Sequence, residues 1–289
     1  SRSALHSNTG SLMPLRYLVI AGPAADRSRF AERIERNTGL RLIVENSSYT
    51  IFTGDGTQAI VDEKSSYVII GHLFYTVQPQ RVSRLDPATI DRLRTMGGRE
   101  LVQNYWGAYV SISSGENPSE VHIQRDPLET APCYYFRYQE LWIIVSDLAA
   151  AKHLGVAPVS VDWNAIAAQV LRPDLRTERT CLSDITELPG GQQLTFGSRG
   201  KTIATLWTPS KFSPVGKKGI DRNEAVERVR RVVLNCIHSW ASCYKNILVQ
   251  VSGGLDSSII AASLKGKHIN ASTMTISTTQ PEGDERNYA

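Results

Sequence analysis

Seven consecutive residues, Ser252-Gly253-Gly254-Leu255-Asp256-Ser257-Ser258, concentrate groups suited to holding an anion. Glycine lets a backbone approach an anion closely, and the free amides at a helix start attract it. The hydroxyls of Ser252, Ser257 and Ser258 add donors. Asp256 would repel phosphate unless a Mg²⁺ ion stood between them, which makes it the candidate metal ligand. The segment is not a Walker loop, because it contains no Gly-Lys-Ser/Thr. The plain alternative is a tight turn of glycine and serine that binds nothing.

Such a loop does chemistry only where a buried strand ends and a helix begins. The pattern supplies that context: Ile247–Val251 reads as a strand, Ile259–Leu264 as a helix and Ser272–Ile276 as a second strand. A strand–helix–strand unit of this length begins a parallel sheet. Upstream, Ala225, Val226, Val229, Val232, Val233, Cys236, Ile237 and Trp240 fall on one helical face, and Asp221 and Glu224 have capping-box spacing at its start. Residues 208–223, rich in proline, glycine and lysine without periodicity, read as a linker.

Before the linker, strand-like runs lie at 15–20, 40–44, 49–53, 58–61, 67–73, 108–113, 121–124, 133–138 and 141–145. The last two suggest a hairpin around Gln139-Glu140. Helices are expected over Asp26–Asn37, stopped by Gly39, over 87–105 with an interruption at Gly97-Gly98, and over Asp162–Leu171. The mixture predicts a layered α+β domain. Residues 1–12 are polar and patternless and read as a leader or disordered arm, with 13–207 as the first domain and 224–289 as the start of a second. The last residues, Gly283 to Ala289, look like the opening turn of a helix, which suggests a fragment.

SGGLDSS resembles the pyrophosphate-binding loop of the ATP pyrophosphatase superfamily, whose members cleave ATP between the α and β phosphates. Further segments resemble class B asparagine synthetases, in that family's order: Arg125-Asp126-Pro127 running on to Cys133-Tyr134-Tyr135, Ser146-Asp147-Leu148 with Lys152, Thr186-Glu187-Leu188-Pro189-Gly190-Gly191, and Leu206-Trp207. Arg-Asp-Pro by itself is more often a surface turn. The resemblance implies an Ntn-hydrolase-like glutaminase fold of αββα layers, then an α/β parallel-sheet ATP pyrophosphatase domain truncated at its C-terminus.

The same resemblance implies that Ser252, Gly253, Gly254, Ser257 and Ser258 hold pyrophosphate, that Val251 and Ile276 border adenine, and that Asp256 ligates Mg²⁺. The family's catalytic lysine and acid are expected beyond residue 289. Three departures bear on the reaction. No cysteine precedes Cys133, the glutamine-binding RGPD segment is absent, and Ile70-Gly71-His72-Leu73-Phe74-Tyr75 stands in place of NGEIYN. The first domain is therefore expected to be an inactive glutaminase, with His72 capping or packing rather than catalysing.

A relative without an ammonia source must use another amine. The chain is most similar to lasso peptide cyclases, which activate an Asp or Glu side chain of a precursor peptide for attack by that peptide's N-terminal amine. A β-lactam synthetase-like or asparagine synthetase-like ligase and a non-catalytic nucleotide-binding partner are the alternatives. The expected partners are the precursor peptide and a leader peptidase of the same pathway.

Composition narrows the field. The net charge is +4 from 32 basic and 28 acidic residues, too even to indicate nucleic acid. No apolar run reaches the length of a membrane span. Four cysteines without a CxxC pair fit neither a disulfide framework nor a zinc site, so a reduced cytoplasmic setting is expected. The loop's resemblance implies that the full-length protein, turning over MgATP with its peptide, should release pyrophosphate and AMP. Finding ADP and orthophosphate by product analysis would refute this reading.

Overall fold

The computed structural model describes residues 15–115, 117, 119–153, 155, 160–175, 177–197, 200–212, 219–265 and 269–276. The expected leader at 1–12 and the helix start at 283–289 lie outside the described residues. In chain order the elements begin with β1 (Tyr17–Ala21), α1 (Ala24–Thr38), β2 (Arg41–Glu45), β3 (Tyr49–Thr53), β4 (Ala59–Val61) and β5 (Tyr67–Tyr75). Two short helices follow, α2 (Pro87–Thr95) and α3 (Arg99–Asn104), then β6 (Tyr105–Ser114), β7 (Val121–Arg125), β8 (Tyr134–Tyr138) and β9 (Leu141–Val145). Next come α4 (Leu148–His153), α5 (Trp163–Leu171), β10 (Thr186–Glu187), β11 (Gln192–Gly197) and β12 (Gly200–Thr205). After a 3₁₀ turn at Pro209–Phe212, the chain ends in α6 (Arg222–Ala241), β13 (Asn246–Gln250), α7 (Leu255–Leu264) and β14 (Asn270–Met274).

The chain divides into two units. The larger holds the described residues of 15–73 and 82–212, and the smaller holds 74–81 and those from 219 onward. The larger unit contains two six-stranded sheets, ordered β10-β8-β9-β1-β3-β2 and β12-β11-β7-β6-β5-β4. Alternation along β1 shows how they stack. Tyr17, Val19 and Ala21 join a core that includes Val68, Ile70, Val110, Ile112, Ile123 and Leu194 of the second sheet. Leu18 and Ile20 point the other way, into a core closed by Ile34 of α1 and Ala150 and Ala151 of α4. All of β1 is buried because both of its faces are covered. The pairings of the first sheet are antiparallel, as are β4/β5, β6/β7, β7/β11 and β11/β12 of the second. The domain is thus α+β, as its patterning suggests.

Two details follow from local chemistry. Gly97 and Gly98 adopt φ of 58° and 79°, conformations that break the helical stretch into α2 and α3 where the glycine pair suggests an interruption. Asp86 caps α2 by accepting the Thr89 amide at 2.9 Å, and Asp162 caps α5 by accepting that of Ala165 at 3.0 Å. His72 lies within β5 beside Gly71, where a Cβ would stand 2.1 Å from the Ala108 carbonyl oxygen. The glycine there lets the two strands approach.

Arg125-Asp126, a dipeptide that in isolation more often forms a surface turn, is buried here. The two residues are 2% and 0% exposed. The Arg125 guanidinium donates to the carbonyls of Ala131 (2.6 Å), Leu188 (2.7 Å) and Glu129 (2.9 Å) and to the Glu187 carboxylate (2.8 Å). The Asp126 carboxylate accepts the amides of Leu128, Thr130 and Ala131 at 3.0, 3.1 and 2.9 Å. Burial raises its pKa despite those bonds.

In the smaller unit β13 and β14 run parallel, with Asn246 opposite Asn270 and Gln250 opposite Met274. Both strands start one or two residues earlier than their apolar runs, because the Asn270 side chain donates to that of Asn246 at 2.7 Å and extends the pairing. Ala241, Val249 and Leu264 form the core here, with Ile237, Ile247 and Val251 packed on it. The apolar face expected for α6 is only partly used: Val226, Val229 and Val232 are 56%, 63% and 60% exposed. Asp221 caps α6 through the amides of Asn223 and Glu224 at 2.9 and 3.2 Å. Among the described residues no helix is long and apolar enough to cross a membrane.

Arg125→Ala should destabilise the larger unit by about 3–5 kcal/mol, since it leaves a buried acceptor set and the Glu187 carboxylate without their donor. Arg125→Lys should recover little, because an ammonium cannot present the planar fork. Urea midpoints for both variants measure this, and a loss below about 1 kcal/mol would refute it.

Candidate functional site

The glycine loop sits where the sequence reading expects it, between the end of β13 and the start of α7, at the carboxyl edge of a parallel strand pair. In open α/β sheets this edge is where ligands bind. The Val251 amide donates to the Met274 carbonyl at 2.8 Å. The Thr275 hydroxyl donates to the Val251 carbonyl at 3.0 Å. Thr275 thus ties the two strand ends together, a role the sequence reading missed. Its only signal there is a hydroxyl at a strand end. Ile276 follows at 58% exposure, so Val251 and Ile276 flank the same edge.

Gly253 adopts φ of 72°, a conformation that disfavours any side chain. Gly254 is the cap residue of α7, with φ −76° and ψ 162°. The helix therefore begins at Leu255, four residues before the expected Ile259. Leu255 to Ser258 wind as its first turn because their polar groups find partners on the Gly254 carbonyl. That oxygen accepts the Ser258 amide at 3.2 Å, the Ser257 hydroxyl at 3.2 Å and the Ser258 hydroxyl at 2.8 Å.

The serines consequently differ from the expectation of three free phosphate donors. The Ser257 oxygen also accepts the Ser252 amide at 3.2 Å and lies 3.3 Å from the Ser252 oxygen. These hydroxyls organise the loop. What remains for an anion is the set of first-turn amides, Leu255, Asp256 and Ser257, which precede the first bond of the α7 ladder. The helix dipole places partial positive charge at the same point.

Asp256 is the second residue of α7 and is exposed. No hydrogen bond or ion pair engages its carboxylate among the described residues. A carboxylate at an anion-attracting helix start fits a cation shared with phosphate oxygens, and the loop's backbone fits a polyphosphate. The residues present therefore suit ATP with Mg²⁺. Among the described residues no cluster of three or more His, Cys, Asp or Glu could hold a metal by itself, so the ligand would supply the remaining oxygens.

No activated cysteine is found among those whose thiol is shifted. Burial pushes Cys133 up to about 11 and raises Cys236 and Cys243 as well, which keeps these thiols protonated at neutral pH.

Residues 228–289 match the asparagine synthase family. None of the curated proteins compared matches the chain. Solved structures similar to it include a glutamine phosphoribosylpyrophosphate amidotransferase from B. subtilis complexed with ADP and GMP, with 9% identity and a TM-score of 0.39 over 89% of this chain and 65% of that one. An allosteric regulatory enzyme of purine biosynthesis aligns at 9% identity and a TM-score of 0.35 over 92% of this chain and 60% of its own. A glutamine aminotransferase class-II domain protein from Silicibacter pomeroyi aligns at 19% identity and a TM-score of 0.19, over 34% and 32%. The chain thus spans less than two thirds of the length of each of these structures, and at such TM-scores the likenesses do not determine its fold.

The two glycines make a discriminating pair. Gly253→Ala should cost about 1 kcal/mol of stability through its left-handed backbone. Gly254→Ala should change stability by less than about 0.5 kcal/mol, since its Cβ would meet only the Ser252 hydroxyl oxygen at 3.3 Å. Both should weaken MgATP binding, because each alters the cradle. Wild-type MgATP affinity in a folded Gly254→Ala protein, measured by calorimetry, would remove the loop from the nucleotide site.

Proposed function

We propose that this chain is part of an ATP-dependent amide-forming ligase that works on a peptide carboxylate. The observation that carries the reading is the SGGLDSS loop, held with its first-turn amides open at the carboxyl edge of β13 and β14, inside the segment that matches the asparagine synthase family. A carboxylate is a poor electrophile because negative charge shields its carbonyl carbon. ATP, when bound, supplies AMP as the leaving group that overcomes this.

The chain's own residues bind and orient. The amides of Leu255, Asp256 and Ser257 hold the pyrophosphate portion without a loop lysine, and Asp256 holds Mg²⁺ against it, offsetting charge that develops on departure. Val251 and Ile276 give adenine an apolar border. The serine network around the Gly254 carbonyl fixes these groups before the ligand arrives, so little reorganisation is needed.

The carboxylate acted on is, in this proposal, an Asp or Glu side chain of a precursor peptide. The attacking group is that peptide's N-terminal amine, which closes a macrolactam as in a lasso peptide cyclase. The resemblance of the N-terminal segments and the replacement of the glutamine-handling motifs support this assignment. The larger unit then serves as a scaffold descended from a glutaminase, and its buried, protonated Cys133 is consistent with a packing role. The two domains proposed are residues 13–207 and 224–289, joined by 208–223.

The test uses the full-length protein with MgATP and precursor peptide. Mass spectrometry should show a product lighter by one water, formed with AMP and pyrophosphate. Asp256→Ala should lower its formation by at least about a hundredfold, while changing thermal stability by no more than about 1 kcal/mol. Near-wild-type cyclisation by that variant would dismiss Asp256 as a metal ligand. Release of glutamate from glutamine would dismiss the cyclase reading in favour of an amidotransferase.

A further inference from the structure

The two six-stranded sheets of the larger unit end in β10 and β2 and in β12 and β4. A sheet edge carries unpaired amides and carbonyls, and proteins blunt it by shortness, bulges, charge or cover. β4 has three residues. β10 has two, and Thr186 is bridged to Arg179 besides its pairing with β8. β2 is bulged between Leu42 and Val44, carries Arg41 and Glu45, and gives its Leu42 amide to the Glu35 carboxylate at 3.1 Å.

β12 differs from all three. Its six residues keep an unbroken register with β11, include no proline, and are all exposed. The phase of the ladder shows which backbone groups are free. Just past the strand, the Leu206 amide donates to the Gly191 carbonyl at 2.8 Å. Opposed residues alternate between bonded and unbonded pairs along an antiparallel ladder. The even-numbered residues of β12 therefore bond to β11, and the amides and carbonyls of Lys201, Ile203 and Thr205 point outward.

We propose that this edge pairs, antiparallel and about a two-fold axis at Ile203, with the same edge of a second copy of the chain. The proposal does not rest on the ligase reading. A two-fold pairing centred there engages all three outward residues. Ile203 faces Ile203 of the second copy, and Lys201 faces Thr205 of the second copy, each as a hydrogen-bonded pair. Two-fold interfaces must be self-complementary in this way.

Side chains and charges agree with that register. Ile203 lies opposite Leu194, which belongs to the core between the sheets, yet it is 38% exposed. Pairing would cover it with its own symmetry mate. On the other face the small residues Thr202 and Ala204 oppose each other. The strand's one charge, on Lys201, already lies over the Tyr135 ring of its own protomer, 5.1 Å from the centroid. The two copies of Lys201 stand four residues apart along the new ladder, about 13 Å, beyond the reach of strong repulsion at physiological salt.

Sedimentation equilibrium of the full-length protein tests this, and a reversible monomer–dimer exchange is expected. Ile203→Lys sets like charges directly opposite on the axis and should weaken association at least about tenfold. Thr205→Pro removes an outward amide that gives nothing to β11, a position where an edge strand tolerates proline, and should weaken it about tenfold as well. Register is read by crosslinking under mild oxidation, with the native protein as baseline for its own cysteines. Ile203→Cys should link two copies, since opposed Cα atoms lie about 5.5 Å apart, whereas Lys201→Cys should not. The cysteine variants and Thr205→Pro keep the test decisive if Ile203→Lys unfolds. A protein that stays monomeric at every concentration, including one that instead captures an unrelated extended peptide, would overturn the proposal. So would unchanged association in Thr205→Pro, or crosslinking of Lys201→Cys as fast as that of Ile203→Cys.

Discussion

Of the buried guanidinium groups in the larger unit, that of Arg125 is the one on which its distant segments depend. Arg125 stands at the end of β7, and its guanidinium reaches the Ala131 and Glu129 carbonyls on one side and Glu187 and Leu188 on the other. Its own carbonyl and that of Asp126 accept the Gly191 amide at 3.3 and 3.2 Å. The Gly191 carbonyl in turn accepts the amides of Leu206 and Trp207 at 2.8 and 3.1 Å. Three segments distant in sequence, at 125–131, 187–191 and 206–207, are thus knitted through one ion and one turn. A buried guanidinium is tolerable only when its donors are satisfied, so every member of this network constrains the others.

That network joins several of the segments quoted for the resemblance. Arg125-Asp126, Glu187-Leu188, Gly190-Gly191 and Leu206-Trp207 are partners in a single hydrogen-bonded assembly. Ser146 belongs to a neighbouring tie, its hydroxyl accepting the Tyr17 amide at 2.9 Å at the start of β1. Tyr17 reaches across with its own hydroxyl to the Pro132 carbonyl at 2.7 Å. In this unit the motif residues act as architecture. The burial of Arg125, Asp126 and Ser146 supplies stability and position.

The smaller unit solves a different problem. To serve the proposed role of a polyphosphate cradle, its loop must leave backbone donors unused and yet not collapse. Here a single carbonyl, that of Gly254, takes up two serine hydroxyls and one amide, and the left-handed Gly253 turns the chain away from the strand. The donors left over are amides, fixed by helix geometry rather than by side-chain rotamers. Such donors lose little entropy when they meet an anion.

Much of this was legible in the sequence. Short apolar, β-branched and aromatic runs between turn residues mark the strands, of which β1 and β3 are buried on both faces. The glycine pair at 97–98 marks the break between α2 and α3, and Val251-Ser252-Gly253-Gly254 marks the strand-to-helix turn. These are local effects, set by backbone preference and by which side of an element meets water. What local pattern could not show was decided by tertiary contact. The burial of Arg125 and Asp126 has no local signal, because partners of Arg125 some sixty residues away satisfy it. Ser257 and Ser258 read as ligand donors, yet a carbonyl one turn earlier claims their protons and starts α7 at Leu255. Sequence determines the preferences of each segment, whereas the satisfaction of a buried charge or hydroxyl depends on groups that only the folded chain brings within hydrogen-bonding distance.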